Sequence, residues 1–295
     1  MKIIKYICLY ILIKMLSACS LSIDSFASDI SKAVSENNDP YTVMQGLPAY
    51  LLLLDGLIES DPDDEELLKA SARLLNAYAS LLDAQLYLIP EQSAEQIKSI
   101  KLQQQRLNNK ALHRSQHAIC IYSEIYCDLT NIRFDEFETR LQQYDPDDID
   151  MIFSLAMSWS SWLQSNTDDW NAMAKLPQIK MLMEIVVKTD EKWENAGAHM
   201  YLGVLNSILP ATMGGKPDAG KYHFEKAISL TNGRNMMVKV LYAEYYARLM
   251  FDQELHQKLI TEVLEIPEDT NEFSMMNTLA KQKARVLQKS SDEYF

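Results

Sequence analysis

Residues 195–230 read NAGAHMYLGVLNSILPATMGGKPDAGKYHFEKAISL, two apolar-periodic segments on either side of a short loop. Gly203 lies in the first segment, and Phe224 and Ala227 lie three residues apart in the second. In tetratricopeptide repeats a glycine lets two helices approach closely, and a small alanine leaves room for a bulky neighbour. The spacing from Gly203 to Phe224 exceeds that of a regular repeat by about five residues. The pattern therefore predicts a degenerate helical hairpin.

Breaks of one chemical type recur along the chain, at 61–64, 145–148 and 267–269. The first two read Asp-Pro-Asp-Asp, and the third reads Pro-Glu-Asp. An aspartate can cap a helix, and a proline at the first helical position loses no needed hydrogen bond. Each break therefore ends one helix and begins another. The predicted helices, of which the last six form three hairpins, cover 67–86, 92–122, 147–165, 176–187, 195–208, 219–230, 236–250 and 253–264.

The composition favours helices throughout the chain. Its 295 residues include only eight glycines and are rich in Leu, Ala, Met, Glu and Gln, which argues against a β-rich fold. Paired helices of this kind bury their faces against neighbouring pairs and leave a concave surface or a channel. We therefore predict an all-α fold in which degenerate tetratricopeptide-like hairpins stack into a compact α-solenoid or bundle.

The N-terminus reads MKIIKYICLYILIKMLSAC. Lysines precede a short apolar run, and small residues precede Cys19, which is typical of a secretory signal too short to span a bilayer comfortably. The ending Leu-Ser-Ala-Cys resembles a bacterial lipobox, whose cysteine is acylated and anchors the protein stably. An ordinary signal peptide is the alternative. We predict a lipoprotein signal peptide over 1–18, a tether over 19–40 that starts at a lipidated Cys19, and a helical domain over 41–295.

The charge and the cysteines limit the class of partner. A formal net charge of −13 argues against nucleic acid and against a protein that lies on anionic lipid. We expect no further membrane span after the leader.

With Cys8 in the leader and Cys19 lipidated, Cys120 and Cys127 remain. They could pair in an export compartment. On one helix, however, they would lie about 10 Å apart along the axis, which is beyond disulfide reach, so we expect two free or buried thiols.

No catalytic arrangement is legible, and we expect a non-enzymatic protein without a cofactor. His113, His117 and Cys120 share one helical face and could hold a soft metal. No second ligand cluster has metal-site spacing, so an ordinary amphipathic helix is favoured. A metal-dependent enzyme that uses the two histidines stays as an alternative.

The segment Gly214-Gly215-Lys216 invites comparison with a phosphate-binding loop. A Walker loop needs glycine where Pro210 stands and Ser or Thr where Pro217 stands. A nucleotide site is therefore excluded, and the segment is interpreted as a turn between helices. Its backbone amides could still face an anion.

Aromatic residues mixed with polar residues mark two candidate ligand-channel walls. Helical aromatics usually belong to a core, but polar side chains beside them are costly to bury without partners. Such mixtures line pockets and interfaces. The first candidate wall comprises Trp159, Trp162, Asn166, Asp168, Trp170 and Asn171, and the second comprises Lys239, Tyr242, Tyr245 and Arg248.

Seven segments occur in order along nearly the whole chain after the leader. They are GLPAYLLLLDGLIE (46–59), FDEFE (134–138), DDWN (168–171), HMYLG (199–203), GGKP (214–217), KVLYAEYYAR (239–248) and DEYF (292–295). Together they resemble the T component (TatT) of tetratricopeptide-associated TRAP transporters. The lipobox-like N-terminus agrees with this resemblance independently.

The resemblance implies a periplasm-facing lipoprotein that forms a homotrimer with a pore through each protomer. Its implied partner is the extracytoplasmic substrate-binding (P) subunit of a TRAP system, and its implied role is to help deliver a small, hydrophobic organic-acid ligand. Ser20 after the cysteine favours the outer membrane. The glutamine-rich stretch 92–105 departs from the expected pattern, so no pore-lining residue is assigned there. The alternative is a tetratricopeptide scaffold lipoprotein that tethers envelope proteins through a concave face.

Overall fold

A computed structural model describes residues 29–295 apart from 31, 90 and 268–271. The predicted signal peptide, Cys19 and most of the predicted tether lie outside the described residues. Thirteen α-helices and no strands occur in the described part, which confirms the all-α prediction. The helices are α1 Pro40–Ser60, α2 Glu65–Leu88, α3 Ala94–Tyr122, α4 Phe134–Leu141, α5 Ile149–Gln164, α6 Trp170–Met173, α7 Leu176–Thr189, α8 Trp193–Ser207, α9 Pro217–Leu230, α10 Met236–Leu241, α11 Gln253–Glu265, α12 Ser274–Lys289 and α13 Ser291–Tyr294.

Local capping chemistry sets several helix starts. The side chain of Asp64 accepts a hydrogen bond from the amide of Leu67 at the start of α2. Asp145 caps a short 3₁₀ turn, Pro146–Asp148, that leads into α5. Both breaks contain an aspartate cap, but only the second has proline at the first helical position; at the first break Pro62 precedes the helix. The third break lies largely outside the described residues.

The helices enclose two apolar clusters. One is formed by α1, α2 and α9 to α12, with Leu47, Leu54 and Phe224 among its fully buried side chains. The other is formed by the end of α3 with α4, α5, α7 and α8, and includes Ile152 and Trp159. Because α2 and α3 pack along each other and α5 packs on both, the two clusters meet where these three helices converge.

The hairpin of α8 and α9 has the predicted close approach. A Cβ atom on Gly203 would lie 2.6 Å from Cδ1 of Phe224, so only glycine fits without a shift. Phe224 and Ala227 are both fully buried. The degenerate tetratricopeptide pattern is therefore a packing requirement of this pair.

The cysteine prediction was wrong. Cys120 and Cys127 form a disulfide, with their Cα atoms 4.4 Å apart. The prediction assumed one continuous helix, but α3 ends at Tyr122, and a 3₁₀ turn, Glu124–Tyr126, follows. That reversal brings Cys127 back beside the last turn of α3.

The predicted helix 236–250 is divided. After α10 the backbone forms a π-helix, Tyr242–Ala247, which we call the π segment. The amide of Arg248 donates to the carbonyl of Ala243 at 3.3 Å, five residues back. A π-helix adds one residue to the turn and often occurs at functional sites, which draws attention to the side chains that it presents.

Helix α1 differs from the rest of the described part in its composition. It is 21 residues long, and an 18-residue stretch of it has a mean hydropathy of 1.2, enough to cross a membrane by length and composition alone; 22% of that stretch is buried. The helix also carries Asp55, which pairs with Lys110 and Arg114 of α3. Part of the segment before α1 packs on the helical domain, because Ile30 and Val34 lie against the first apolar cluster.

Candidate ligand site

A stripe of polar side chains runs through the region where the two apolar clusters meet. Three serines on α5 and the serine that directly follows it are spaced four, three and four residues apart, which places them on one helix face. An asparagine of α2 and an asparagine of α3 face them. We call this set the polar seam, and its members are Asn76, Asn108, Ser154, Ser158, Ser161 and Ser165.

Hydrogen bonds tie the polar seam together but do not saturate it. Nδ2 of Asn76 donates to Oγ of Ser158 at 2.9 Å, and Nδ2 of Asn108 donates to the carbonyl of Ser161 at 3.0 Å. Both asparagines are buried. Within the described part of the chain, neither amide oxygen has a hydrogen-bond partner, and the same holds for Oγ of Ser154. A buried polar atom without a partner costs about 1–3 kcal/mol, so the polar seam has spare capacity to bind a polar guest.

The polar seam ends at a cluster that contains charge. Gln164, the last residue of α5, donates from Nε2 to Oη of Tyr245 on the π segment at 3.2 Å. The neighbouring Glu244 lies 2.6 Å from Nζ of Lys283 on α12. Tyr87 of α2 belongs to the same group, since Lys283 and Glu244 act on it electrostatically. We call Tyr87, Gln164, Glu244, Tyr245 and Lys283 the junction cluster.

The electrostatics of the junction cluster keep its lysine charged and its phenols neutral. Burial raises the pKa of Tyr245 to about 12 and also raises the pKa of Tyr87. Burial alone would lower the pKa of Lys283, but Glu244, Tyr245 and Asp83 outweigh it and raise that pKa. Lys283 already pairs with the carboxylate of Glu244, and a ligand carboxylate that bound here would take the place of Glu244 or share the lysine with it.

The first predicted wall is divided between core and surface. Trp159 is buried and packs edge-on against Phe137, with ring centroids 6.2 Å apart. Trp162 is half-buried against the second apolar cluster. Asn166 folds back and donates from Nδ2 to the carbonyl of Trp162 at 2.7 Å. Trp170 is 74% exposed. Asp168 and Asn171 are exposed in the same turn region.

The second predicted wall has one member in the junction cluster, whereas the first wall has none. Tyr245 belongs to the junction cluster, whereas Lys239 pairs with Glu262 at 2.8 Å and Tyr242 stacks on Phe224 with centroids 5.1 Å apart. Arg248 lies over the ring of Tyr294, 4.7 Å from its centroid. Tyr245 accepts its hydrogen bond from Gln164, which lies between Trp162 and Asn166 in sequence but was not itself assigned to the first wall.

The Gly-Gly-Lys loop has no amide free for an anion. The amides of Gly214, Gly215 and Lys216 donate to the carbonyls of Ala211, Pro210 and Asn206 at 3.0–3.1 Å. A Cβ on Gly215 would lie 1.7 Å from the carbonyl oxygen of Leu209. The interpretation as a turn between helices accounts for both observations.

The histidine face of α3 differs from a metal centre. His113 is exposed, His117 lies 3.2 Å from Asp63, and the thiol of Cys120 is in the disulfide. No group of three or more potential ligands of the His, Cys, Asp or Glu type is assembled in the described residues.

Sequence reasoning assigned no member of the polar seam to the site and only Tyr245 of the five members of the junction cluster. The serine stripe on α5 was visible as a spacing of four, three and four. Tyr87 and Lys283 belong to no such regular spacing, because each is one of several polar residues on a long amphipathic helix. Only the packing of α2 and α12 around the π segment brings them together.

The fold defines an all-α protein of stacked helical hairpins. Its candidate site is a polar interior that ends at the ion pair between Lys283 and Glu244. The family model of the TRAP transporter T-component matches residues 36–295. The chain therefore belongs to the TRAP transporter T-component family, as its resemblance indicated, and is an accessory component of a transporter of the bacterial cell envelope. A comparison with curated proteins finds no match.

Proposed function

We propose that this protein is a lipid-anchored, periplasm-facing T component that binds the substrate-binding (P) subunit of a TRAP transporter and helps to pass it a small, hydrophobic organic acid. The family match over residues 36–295 carries this proposal. The role is non-enzymatic: the protein binds and hands over a ligand, and the transporter moves it.

Two features support export and anchoring. The Leu-Ser-Ala-Cys ending places acyl chains, including palmitate, on Cys19, and Ser20 directs the protein to the outer membrane. The disulfide between Cys120 and Cys127 supports an oxidising compartment such as the periplasm, because disulfides rarely persist in the cytosol. The homotrimer, with a pore through each protomer, rests on the family resemblance.

The junction cluster and the polar seam support the ligand assignment. In this proposal the carboxylate of the ligand is bound by Lys283 and Tyr245, and its apolar part lies against Trp162. The polar turn after α5, with Asn166, Asp168, Trp170 and Asn171, forms the entrance. Lys239, Tyr242 and Arg248 support this wall from behind through their own contacts.

Capture from membranes tests the partner assignment. The tagged, lipidated protein should co-purify with the substrate-binding subunit and the permease subunits of one TRAP system. Cys19→Ala should move the protein from the membrane fraction to the soluble fraction while it remains folded. Recovery of other envelope proteins, without any TRAP subunit, would favour the scaffold alternative and contradict the proposal.

Native mass spectrometry of the purified protein tests the ligand assignment. The protein should carry a small organic acid, and Lys283→Met should lose it because the cation at the site is gone. Lys239→Met is the matched control, since Lys239 pairs with Glu262 away from the junction cluster. Equal retention of the acid by both variants would place the ligand elsewhere.

A further inference from the structure

Helix α1 has an apolar face that no other described segment of the chain covers. One side of the helix buries Val43, Leu47, Leu51 and Leu54 against the first apolar cluster. On the opposite side, Leu52 and Leu53 are 72% and 47% exposed. Ala49 and Gly56 are exposed on the same side, and their short side chains do not shield Leu52. Exposed adjacent leucines on a regular helix are typical of an interaction surface.

The same helix is free of charge over most of its length. From Pro40 to Leu54 there is no Asp, Glu, Lys or Arg, although the whole chain carries 41 acidic and 28 basic residues. A protein with this acidic balance is repelled by anionic surfaces. A zwitterionic lipid surface does not repel the acidic chain, and the uncharged apolar face of α1 can rest on such a surface.

The position of α1 in the chain brings it close to a membrane. Cys19 and Asp29, where the described structure begins, are ten positions apart in the chain. Fully extended, the chain between them spans at most about 35 Å. Asp29 is followed closely by Ile30 and Val34, which pack on the same apolar cluster as α1. If Cys19 is acylated, α1 is therefore the first long helix that the anchor holds near the bilayer.

We propose that this face of α1 rests on the bilayer that holds the anchor, with Leu52 and Leu53 inserted at the boundary between headgroups and acyl chains. The inference rests on the proposed lipid anchor at Cys19 and names the membrane surface as the partner of α1. Helices that lie in the interface place their apolar face about 5–10 Å into this boundary. The helix lies on the membrane and does not cross it, because Leu47 and Leu54 remain buried in the protein and Asp55 remains paired with Lys110 and Arg114.

Fluorescence quenching by brominated lipid tests this contact. The lipidated variants Leu52→Trp and Met213→Trp are reconstituted in phosphatidylcholine vesicles with or without bromine on the acyl chains. Met213 is the matched control, because it is also exposed but lies in the 3₁₀ turn Ala211–Met213. The unmodified protein gives the emission of its four native tryptophans. The tryptophan at 52 should lose emission in brominated vesicles, and the tryptophan at 213 should not.

Vesicle flotation separates failure of the contact from failure of the anchor. If Leu52→Trp floats with the vesicles but is not quenched, the anchor is retained and the proposed contact is overturned. If the unmodified protein does not float, the anchor is absent and the inference fails with it. If Leu52→Gln/Leu53→Gln dissociates an oligomer in detergent and bromine has no effect at 52, a second copy covers this face, which also overturns the proposal.

Discussion

At the scale of single residues, the missing side chain of Gly203 controls how closely α8 and α9 pack. An added Cβ would meet the buried ring of Phe224 at 2.6 Å. A glycine within a helix is otherwise unfavourable relative to alanine. The ring of Phe224 fills the space that the missing side chain of Gly203 leaves. The sequence pattern of the hairpin predicted this close contact.

We expect Gly203→Ala to destabilise the protein. Overpacking costs about 1–3 kcal/mol, which exceeds the gain in helix propensity of about 1 kcal/mol. Gly46→Ala in α1 is the matched control, because nothing lies within 4 Å of its added Cβ. The control should gain about 0.5–1 kcal/mol. Urea unfolding measures both changes, and equal stability of the two variants would show that Phe224 yields to the extra methyl group.

The disulfide between Cys120 and Cys127 should stabilise the protein by about 2–3 kcal/mol, the value for closing a short loop. Cys120→Ser/Cys127→Ser should lose this amount in the free energy of unfolding. Dithiothreitol should lower the stability of the unmodified chain to that of the variant and leave the variant unchanged. A wild-type protein that is insensitive to the reductant would contradict the assignment.

At the scale of helices, ion pairs connect α2 to α5. Asp150 of α5 accepts from Lys69 at 2.7 Å and from Arg73 at 2.5 Å, and Lys69 is mostly buried. Burial would lower the pKa of Lys69, but its bonds to Asp150 and Glu66 outweigh burial and raise it. The pair therefore keeps a charged lysine inside the helix contact.

Asp150→Asn should destabilise the protein by about 1.5–3 kcal/mol, the value for hydrogen bonds that involve a charged group. Asp135→Asn is the control, because its pair with Arg133 is fully on the surface and should be worth less than about 1 kcal/mol. Thermal unfolding at neutral pH measures the difference. Similar losses in both variants would mean that the Asp150 pair is screened by solvent.

The sequence predicted most helix bounds well, because Asp-Pro breaks and apolar periodicity act over short distances. It missed the 3₁₀ turn after Tyr122 and the π segment. No local residue in 236–250 forbids a regular α-helix. The extra residue in that turn is accommodated by packing against α8, α9 and α11, and such tertiary contacts have no local signature.

At the scale of the whole molecule, the candidate site depends on helices that are far apart in sequence. The two predicted walls contributed Tyr245 and the neighbourhood of Gln164, but Tyr87 and Lys283 come from opposite ends of the domain. Periodicity places a residue on a helix face without naming the helix it meets. The polar seam and the junction cluster could therefore be assembled only from the structure.

Buried histidines should make the folded molecule sensitive to acid. Burial lowers the pKa of His199, His223 and His256, and lowers that of His223 to about 4. His223 and His199 face each other with their Nδ1 atoms 2.9 Å apart, near Lys180, Lys226 and Glu191. Protonation near pH 6.5 then favours the unfolded chain. Stability should be complete above pH 6.5 and should fall as the pH drops towards 4.

His223→Gln should flatten this acid dependence, because glutamine does not titrate and can still hydrogen-bond to His199. His113→Gln is the control, since His113 is exposed. Urea midpoints at several pH values between 4 and 7 give the two slopes. A slope for His223→Gln equal to that of the unmodified protein would assign the acid sensitivity to other groups.

The short disulfide loop also bears on how the protein is made. The two cysteines are only seven positions apart, so in the proposed exported protein the bond can close while the C-terminal half of the chain is still crossing the membrane. If the proposed signal peptide is removed with Cys8 and Cys19 is acylated, no other thiol of this chain competes for either partner. We therefore expect biogenesis to require a periplasmic oxidase but no isomerase, and a strain that lacks only the isomerase should accumulate the protein at its normal level.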